Sequence, residues 1–547
     1  MHGYIYETAI VICECGNMFR TCQFYSSENK MEKVVWVVTV SSAVLAIFLT
    51  WNVFCWIWLN PKKLEKYLRK KGVKGPSYRF LHGNLKELVS LTKKAQSRPM
   101  ERSHRIVQRV LPFHDQFAES YGRMFTTWYG PTLKLNIMKP ELLKEIFMNK
   151  SGHFLKPRSN PLSKLLVSGL VIYEGKKWAK HRRILNPAFH PEKLKMMSPA
   201  FYTTCSNLIS KWQNLDFSEG SCELDVWPDL QNITKDVIAR TAFGSSYEEG
   251  RRIFQLIDEL GTLVFQVAVS LNIPGFRFLP TKRNNRMKKI GREVRNLLRD
   301  IVKKREMAIN MGEAPKNDLL GVLMESNHNE MKDDMNSKRV GMTIDEIIDE
   351  CRLFYFAGQE STSTLLVWTM IVLSMHQDWQ EKAREEVMKV FGSSKPDFDG
   401  LNQLKIVTMI LHEVLRLYPP TPFISRANDK EINLGDVTVP EGVQLALPIL
   451  LIHHSRELWG EDAEEFKPER FARGVSEATK NQVSYFPFGW GPRICAGQTF
   501  VFVEAKMVLS MILQQFSFEL SSTYIHAPYS ILTLKPQYGA QLILHKL

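Results

Sequence analysis

The sequence predicts a mainly α-helical body with small β-sheets, preceded by one N-terminal transmembrane helix. Three observations carry this. Residues 34–61 contain no Asp, Glu, Lys or Arg, and the apolar run within them is long enough to cross a bilayer at the α-helical rise. Beyond it, amphipathic stretches near 85–110, 191–215, 229–240 and 284–308 and a helical run over 345–375 outweigh short β-like pieces near 124–138 and 430–450. No repeat period and no Pro/Ser-rich linker divides 80–547. The 547 residues therefore read as one large body, although length alone suggests about three or four domains.

Taken in order, residues 1–33 read as an N-terminal tail. The first 30 are polar, hold Cys13, Cys15 and Cys22, and precede a second methionine, Met31, so they read as a gene-model extension or a dispensable tail. Residues 34–59 form the transmembrane anchor, with Trp51, Trp56 and Trp58 crowding its C-terminal end as interfacial aromatics do. Lys62, Lys63, Lys66, Arg69, Lys70, Lys71 and Lys74 follow, which by the positive-inside rule puts the bulk of the chain in the cytosol. Gly72, Gly75 and Pro76 then read as a hinge, giving a basic and Gly/Pro segment over 60–80 and a catalytic body over 81–547. The polar, charge-rich span from 306 to 339 reads as an exposed loop between helices.

Composition narrows the classes. With 44% apolar and 24% charged residues, most of the chain is neither disordered nor low-complexity. The eight Cys are too dispersed beyond residue 22 for a disulfide framework or a zinc pair. The net charge of +15 permits nucleic acid, a membrane surface or an acidic protein as partner. The basic stretches carry no base-reading motif or stacking platform, which argues against nucleic acid.

The chemistry concentrates at Cys495. The segment from Phe488 to Gly497 places two Gly and a Pro before the Cys and a Gly after it, and a helical apolar run begins at about Gln498. Such a loop aims one sulfur outward, lets a flat ligand approach closely, and sets a helix start nearby that favours the thiolate. One soft anionic ligand suits an iron already held by a porphyrin. With Phe488, Gly491, Arg493, Cys495 and Gly497 at F-x-x-G-x-R-x-C-x-G spacing, the sequence resembles the cytochrome P450 superfamily. The resemblance implies the P450 fold and a haem b whose iron is ligated by Cys495. Phe488 and Gly497 would shape the loop, and Arg493 would pair with a propionate.

Other motifs follow in the family's order. Trp178 and Arg182 match W-x-x-x-R, and Arg426 follows a Pro-rich segment at another Arg position; all three would contact propionates. Glu413 and Arg416 match E-x-x-R, and with Arg470 of the Pro468–Phe471 motif they would form a buried structural network. Ala357, Gly358, Glu360, Ser361 and Thr362 lie mid-helix, where a glycine with an acid and hydroxyls can disrupt regular bonding and open space. The resemblance makes Glu360, Ser361 and Thr362 the catalytic candidates, guiding protons to dioxygen. Ser361 departs from the usual Thr, which keeps a hydroxyl but loses a methyl.

Lys176, Lys177, Lys180, Arg182 and Arg183 form a basic cluster suited to an acidic NADPH-cytochrome P450 reductase. NADPH would thus be used indirectly. Segments over 72–80, 318–321, 354–360 and 377–380 are similar to the plant family that includes secologanin synthase and several triterpenoid oxidases. The resemblance implies a monooxygenase of the endoplasmic reticulum membrane that oxidises a hydrophobic isoprenoid: an iridoid, a triterpenoid or a diterpenoid hormone. Inactivation of gibberellin or brassinosteroid, a reductase-independent thiolate-haem isomerase or dehydratase, and a non-enzymatic membrane-tethered lipid binder stand as alternatives. Specificity contacts are expected from 155–170, 260–280, Phe356 and 421–425.

Overall fold

The computed structural model describes residues 33–157, 160–218, 220–268, 278–312, 318–332 and 341–547. Helix α1 runs from Lys33 to Lys70, with one π-turn over Cys55–Leu59. Its N-terminal part is long and apolar enough to cross a membrane, and its apolar side chains from Val34 to Phe54 are exposed. The tail with Cys13, Cys15 and Cys22 lies outside the described residues.

A compact unit begins at Leu68. The Gly/Pro segment expected as a hinge lies on a sheet: the Thr126 N–H donates to the Lys74 carbonyl at 3.0 Å, and Val73 and Tyr78 are buried. The amphipathic stretch near 85–110 holds one long helix, α2 (Leu85–Gln96), which stops before Pro99, and a short helical turn over Val107–Val110. Strands β1 (Met124–Tyr129), β2 (Thr132–Ile137) and β3 (Phe154–Leu155) follow. Next come α3 (Gly175–Leu185), α4 (Pro191–Gln213), β4 (Cys222–Asp225), α5 (Trp227–Phe243), α6 (Tyr247–Ala268) and α7 (Lys282–Asn310).

The span expected as a loop holds a helix, α8 (Leu319–Lys332). The reason is local capping together with tertiary burial. Asp318 accepts the Gly321 N–H at 2.8 Å and pairs with Arg305 of α7 at 2.8 Å, and Leu319, Leu320, Val322 and Leu323 enter the core. The density of charge around this short apolar face hid it from a periodicity reading.

Helix α9 (Ile344–Met375) crosses the body. A capping box starts it: the Thr343 hydroxyl accepts the Glu346 N–H at 3.2 Å, and the Glu346 carboxylate accepts the Thr343 N–H at 3.0 Å. Beyond the first turns it is buried nearly all round, as an apolar core helix must be. Helices α10 (Gln377–Phe391) and α11 (Lys405–Leu417) pack beside it.

Strands β5 (Ile424–Asn428), β6 (Ile432–Leu434), β7 (Val437–Val439) and β8 (Gln444–Leu447) come next. The largest sheet has the order β1-β2-β8-β5-β3, with β2 and β8 parallel and the other pairs antiparallel. Helix α12 (Gln498–Gln515) leads into β9 (Phe516–Leu520), β10 (Pro528–Ser530), β11 (Leu534–Pro536) and β12 (Gln541–Lys546). Strands β4, β12 and β9 form a second sheet, and β10 and β11 form a hairpin.

The E-x-x-R residues meet on α11. Arg416 Nε and Nη2 donate to the two oxygens of Glu413 at 2.8 and 2.7 Å, with both side chains fully buried. The remaining Arg416 donors reach the carbonyls of His453, Ala463 and Glu465. Arg470 approaches Glu413 at 3.5 Å and pairs with Asp462 at 2.8 Å.

Two outcomes follow from these contacts. Arg416→Met strands a buried carboxylate, so a loss of about 3–5 kcal/mol is expected, read as a lower urea midpoint at unchanged slope. Arg416→Lys shifts the midpoint the same way, because an ammonium cannot span the carboxylate and three carbonyls. For Glu346, burial pushes the carboxyl up, but Lys177, the Thr343 N–H and Lys180 outweigh it and hold it down at about 2 instead of 4.5. A depressed carboxyl stabilises above its unfolded value, and that contribution disappears as pH falls through the folded value. Glu346→Gln is therefore expected to be less stable than the parent near neutrality, and the gap should close between about pH 4.5 and 2 in pH-dependent unfolding.

Candidate active site

The Cys495 loop is closed by its own backbone. The Cys495 N–H donates to the Phe488 carbonyl at 2.9 Å, Gly489 N–H to Phe486 at 2.9 Å, and Ile494 N–H to Gly491 at 3.1 Å. Gly491 has φ +70°, and a Cβ there would stand 2.8 Å from the Phe147 carbonyl oxygen, so only glycine turns the loop this close to its neighbour. Phe488 stacks obliquely on Phe502 of α12 at 5.8 Å. The loop is also tied to the Glu413–Arg416 pair. His453 Nδ1 faces the Arg416 carbonyl at 3.2 Å, and its Nε2 accepts the Phe486 N–H at 3.1 Å. One imidazole tautomer satisfies both contacts.

Cys495 is solvent-accessible, although enough protein surrounds it to desolvate its thiol. Burial pushes its thiol up, while the Gly497 N–H and Arg182 pull it down. The helix start was expected to favour the thiolate; desolvation wins instead, so the ionised sulfur calls for a cation bound to it.

Helix α9 presents the complementary feature. Ala357 is exposed and Ser361, one turn on, is partly exposed, within a helix whose next turns are fully buried. Phe189 joins this helix to the Cys loop: its ring lies 6.2 Å from that of Phe354, and a Cβ on Gly497 would meet it at 3.7 Å and the Cys495 Sγ at 3.9 Å. The helix is continuous here, contrary to the expected local opening. Gly358 instead admits Ile238 of α5, whose Cδ1 would lie 2.5 Å from an added Cβ. The hydroxyls stay in the helix: Ser361 donates to Ala357 at 2.9 Å, and Thr362, fully buried, donates to Gly358 at 3.0 Å. The Glu360 carboxylate is buried against the β10–β11 hairpin, where Thr533 donates to it at 2.9 Å and Lys535 pairs with it.

A cationic cradle lies beside the loop, and the sheet builds it. Leu155 of β3 pairs with Ala427 of β5, which brings Lys156 beside Arg426. Arg426 is only 5% exposed, and its one hydrogen bond among the described residues goes to the adjacent Ser425 carbonyl at 3.1 Å. Burial first, then Arg493, lowers it to about 10. Lys156 is lowered to about 7 by burial, then by Arg426 and Arg493, with Glu174 opposing. Arg493 donates to the Tyr173 carbonyl at 2.7 Å, pairs with Glu174, and stacks over Trp178 at 4.4 Å. Three cations thus face one carboxylate, an uncompensated charge that suits the two carboxylates of a haem. Arg182 turns toward the Cys loop and donates to the Ile494 carbonyl at 2.8 Å. Lys156, Glu174, Phe189, Thr533 and Lys535 carry no motif signal of their own and were missed in the sequence.

The basic cluster on α3 does not present five cations on one surface. Lys177 and Lys180 share Glu346 at 2.7 and 3.4 Å, and Arg182 turns inward; Lys176, Lys177 and Arg183 are exposed. Of the expected specificity segments, 158–159 and 269–277 lie outside the described residues. Two of the expected segments meet, at Leu166 and Gly261, and Leu532, which was not expected, joins them: a Cβ on Gly261 would meet Leu532 at 3.4 Å and Leu166 at 4.0 Å.

The cytochrome P450 family profile matches residues 104–543. Cytochrome P450 CYP72A616 of Paris polyphylla is 57% identical over 515 residues, covering 93% of this chain and 99% of that protein. Cytochrome P450 CYP72A219 of Panax ginseng is 53% identical over 519 residues, 94% of this chain and all of that protein. Cytochrome P450 716A67 of Medicago truncatula is 52% identical over 509 residues, 93% of this chain and 98% of that protein. The chain belongs to the cytochrome P450 family, close to the plant members that include secologanin synthase and triterpenoid oxidases.

Proposed function

We propose that this cytochrome P450 is an endoplasmic-reticulum monooxygenase that hydroxylates or further oxidises a hydrophobic plant isoprenoid, with electrons from an NADPH-dependent reductase. The observation that carries the reading is the accessible Cys495 in its glycine loop, bordered by surplus buried cations.

Cys495 would ligate the haem iron through its sulfur. Arg426, Arg493 and Lys156 would neutralise the propionates, with Trp178 flattening Arg493 into place. Arg182 braces the Ile494 carbonyl, so it orients the ligand loop from behind. When bound, the haem supplies dioxygen activation and C–H oxidation. Glu360 would hold a proton on its carboxylate and Ser361 would pass one along the open face of α9. Thr362, packed in the core, would keep the helix in register beside them. Leu532 and Phe356, both partly exposed, would offer apolar walls to a hydrocarbon substrate. The apolar part of α1 suits a single-pass anchor that leaves the body in the cytosol, where substrate dissolved in the bilayer can reach it. Lys176, Lys177 and Arg183 are exposed on α3 and would face the reductase.

The test is microsomal co-expression with a plant reductase and incubation with iridoids, triterpenoids and diterpenoids under oxygen-18. NADPH-dependent incorporation of one labelled oxygen into an isoprenoid is expected; conversion that proceeds without NADPH would overturn the reading. Cys495→Ala is expected to lose the red-shifted carbon monoxide band that a thiolate ligand produces. Lys156→Met should keep that band but release haem to apomyoglobin several-fold faster, because one of three propionate-facing cations is gone.

A further inference from the structure

Glu360 is held by a device that its own helix does not supply. Strands β10 and β11 pair with Tyr529 opposite Lys535 and Ser530 opposite Leu534. Main-chain bonds pin this hairpin at Leu534: its N–H donates to the Pro420 carbonyl at 3.0 Å, and its carbonyl accepts the Trp368 indole N–H of α9 at 2.8 Å. The residues on either side of that pin both reach back to the same helix. Thr533 Oγ1 donates to Glu360 Oε1 at 2.9 Å, and Lys535 Nζ pairs with the same oxygen. No described residue donates to Glu360 Oε2. The Lys535 side chain is 21% exposed and that of Glu360 10%, so the cation spans from the solvent side to a buried acid.

Two donors on one carboxylate oxygen fix its rotamer and distinguish its two oxygens. Oε2 is not among the fully buried unpartnered oxygens, so it stays open to water or to a proton partner. From this geometry we infer that Lys535 and Thr533 are positioning residues that clamp Glu360 Oε1 and leave Oε2 as the oxygen that takes up and passes on protons during dioxygen reduction. The inference rests on the monooxygenase reading above and adds to it the residues that aim its acid. Lys535 and Thr533 act through Glu360 and need touch neither substrate nor cofactor.

The consequence is a change in how electrons partition. Without substrate, reductase-supplied electrons and protons convert dioxygen either to hydrogen peroxide, the two-electron product, or to water, the four-electron product that consumes twice the protons. A misplaced Glu360 slows the later protons and favours peroxide. The experiment uses the full-length haem-loaded protein with reductase and NADPH, and measures peroxide formed per NADPH oxidised. Lys535→Met and Thr533→Val are each expected to raise the peroxide fraction several-fold, and Lys535→Arg, which keeps the cation, to restore most of the parent partition. In a Glu360→Gln background, Lys535→Met should add nothing further, since its effect passes through that carboxylate. Hydrogen exchange of the 531–536 backbone, read without turnover, should rise in Lys535→Met. An unchanged peroxide fraction in both Lys535→Met and Thr533→Val, or an undiminished Lys535→Met effect in the Glu360→Gln background, would overturn the inference. Absence of the thiolate-type carbon monoxide band in the unmutated protein would overturn the haem reading itself, so the two failures are seen in different samples.

Discussion

Everything near Cys495 is referred to one buried ion pair. Glu413 and Arg416 are fully desolvated, and in the low-dielectric interior each is tolerable only because the other is present and every remaining donor finds a carbonyl. A pair of this kind costs several kcal/mol to bury and contributes little net stability over an apolar packing. What it supplies is geometry. Arg416 gathers the carbonyls of His453, Ala463 and Glu465, and Glu413 also accepts the Lys467 N–H at 3.0 Å. The segments before and around the Cys loop therefore cannot shift without uncovering a charge. His453 hands that rigidity on to Phe486, at the root of the loop.

The opposite condition holds on the other side of the loop. Around Glu174 the cations outnumber the acids, and burial lowers Lys156 and Arg426 toward neutrality. One region is electrostatically closed and acts as a frame; the other is electrostatically open, with more buried cations than acids. The contrast follows from the sheet, which sets β3 against β5 so that Lys156 and Arg426 stand side by side. Like charges are driven together there at a cost that a dianionic ligand would repay.

Helix α9 links these regions to the rest of the body. Its first turns carry Glu346, Asp349 and Glu350. Glu350 holds buried His181 of α3 at 2.7 Å and accepts the Leu170 N–H at 3.1 Å, and Tyr173 donates to Asp349 at 3.1 Å. The segment bearing Trp178 and Arg182 is thereby docked on the same helix that carries Glu360 and Ser361. Further along, Trp368 fixes the hairpin that holds Glu360. Two cations of the α3 basic cluster, Lys177 and Lys180, take part in this docking through Glu346.

The Cys loop, the E-x-x-R pair and the long helix were legible because each is set by neighbours in the chain: glycines for a turn, residues three apart for a shared helix face, a capping box and an unbroken apolar run. The apolar helix long enough to cross a membrane was legible for the same reason. Helix α8 was not, because a short apolar face amid charges becomes helical only when a core and the Asp318–Arg305 pair receive it. Nor was the purpose of Gly358, which depends on Ile238 from α5, or the direction of the Glu360 carboxylate, which depends on Thr533 and Lys535 far along the chain. Exposure, ion pairing and acidity are sums over everything nearby in space, and chain order carries no record of that neighbourhood. Local motifs were thus enough to name the candidate residues. The fold decided which charges are spent on structure, which remain for a ligand, and which way each side chain faces.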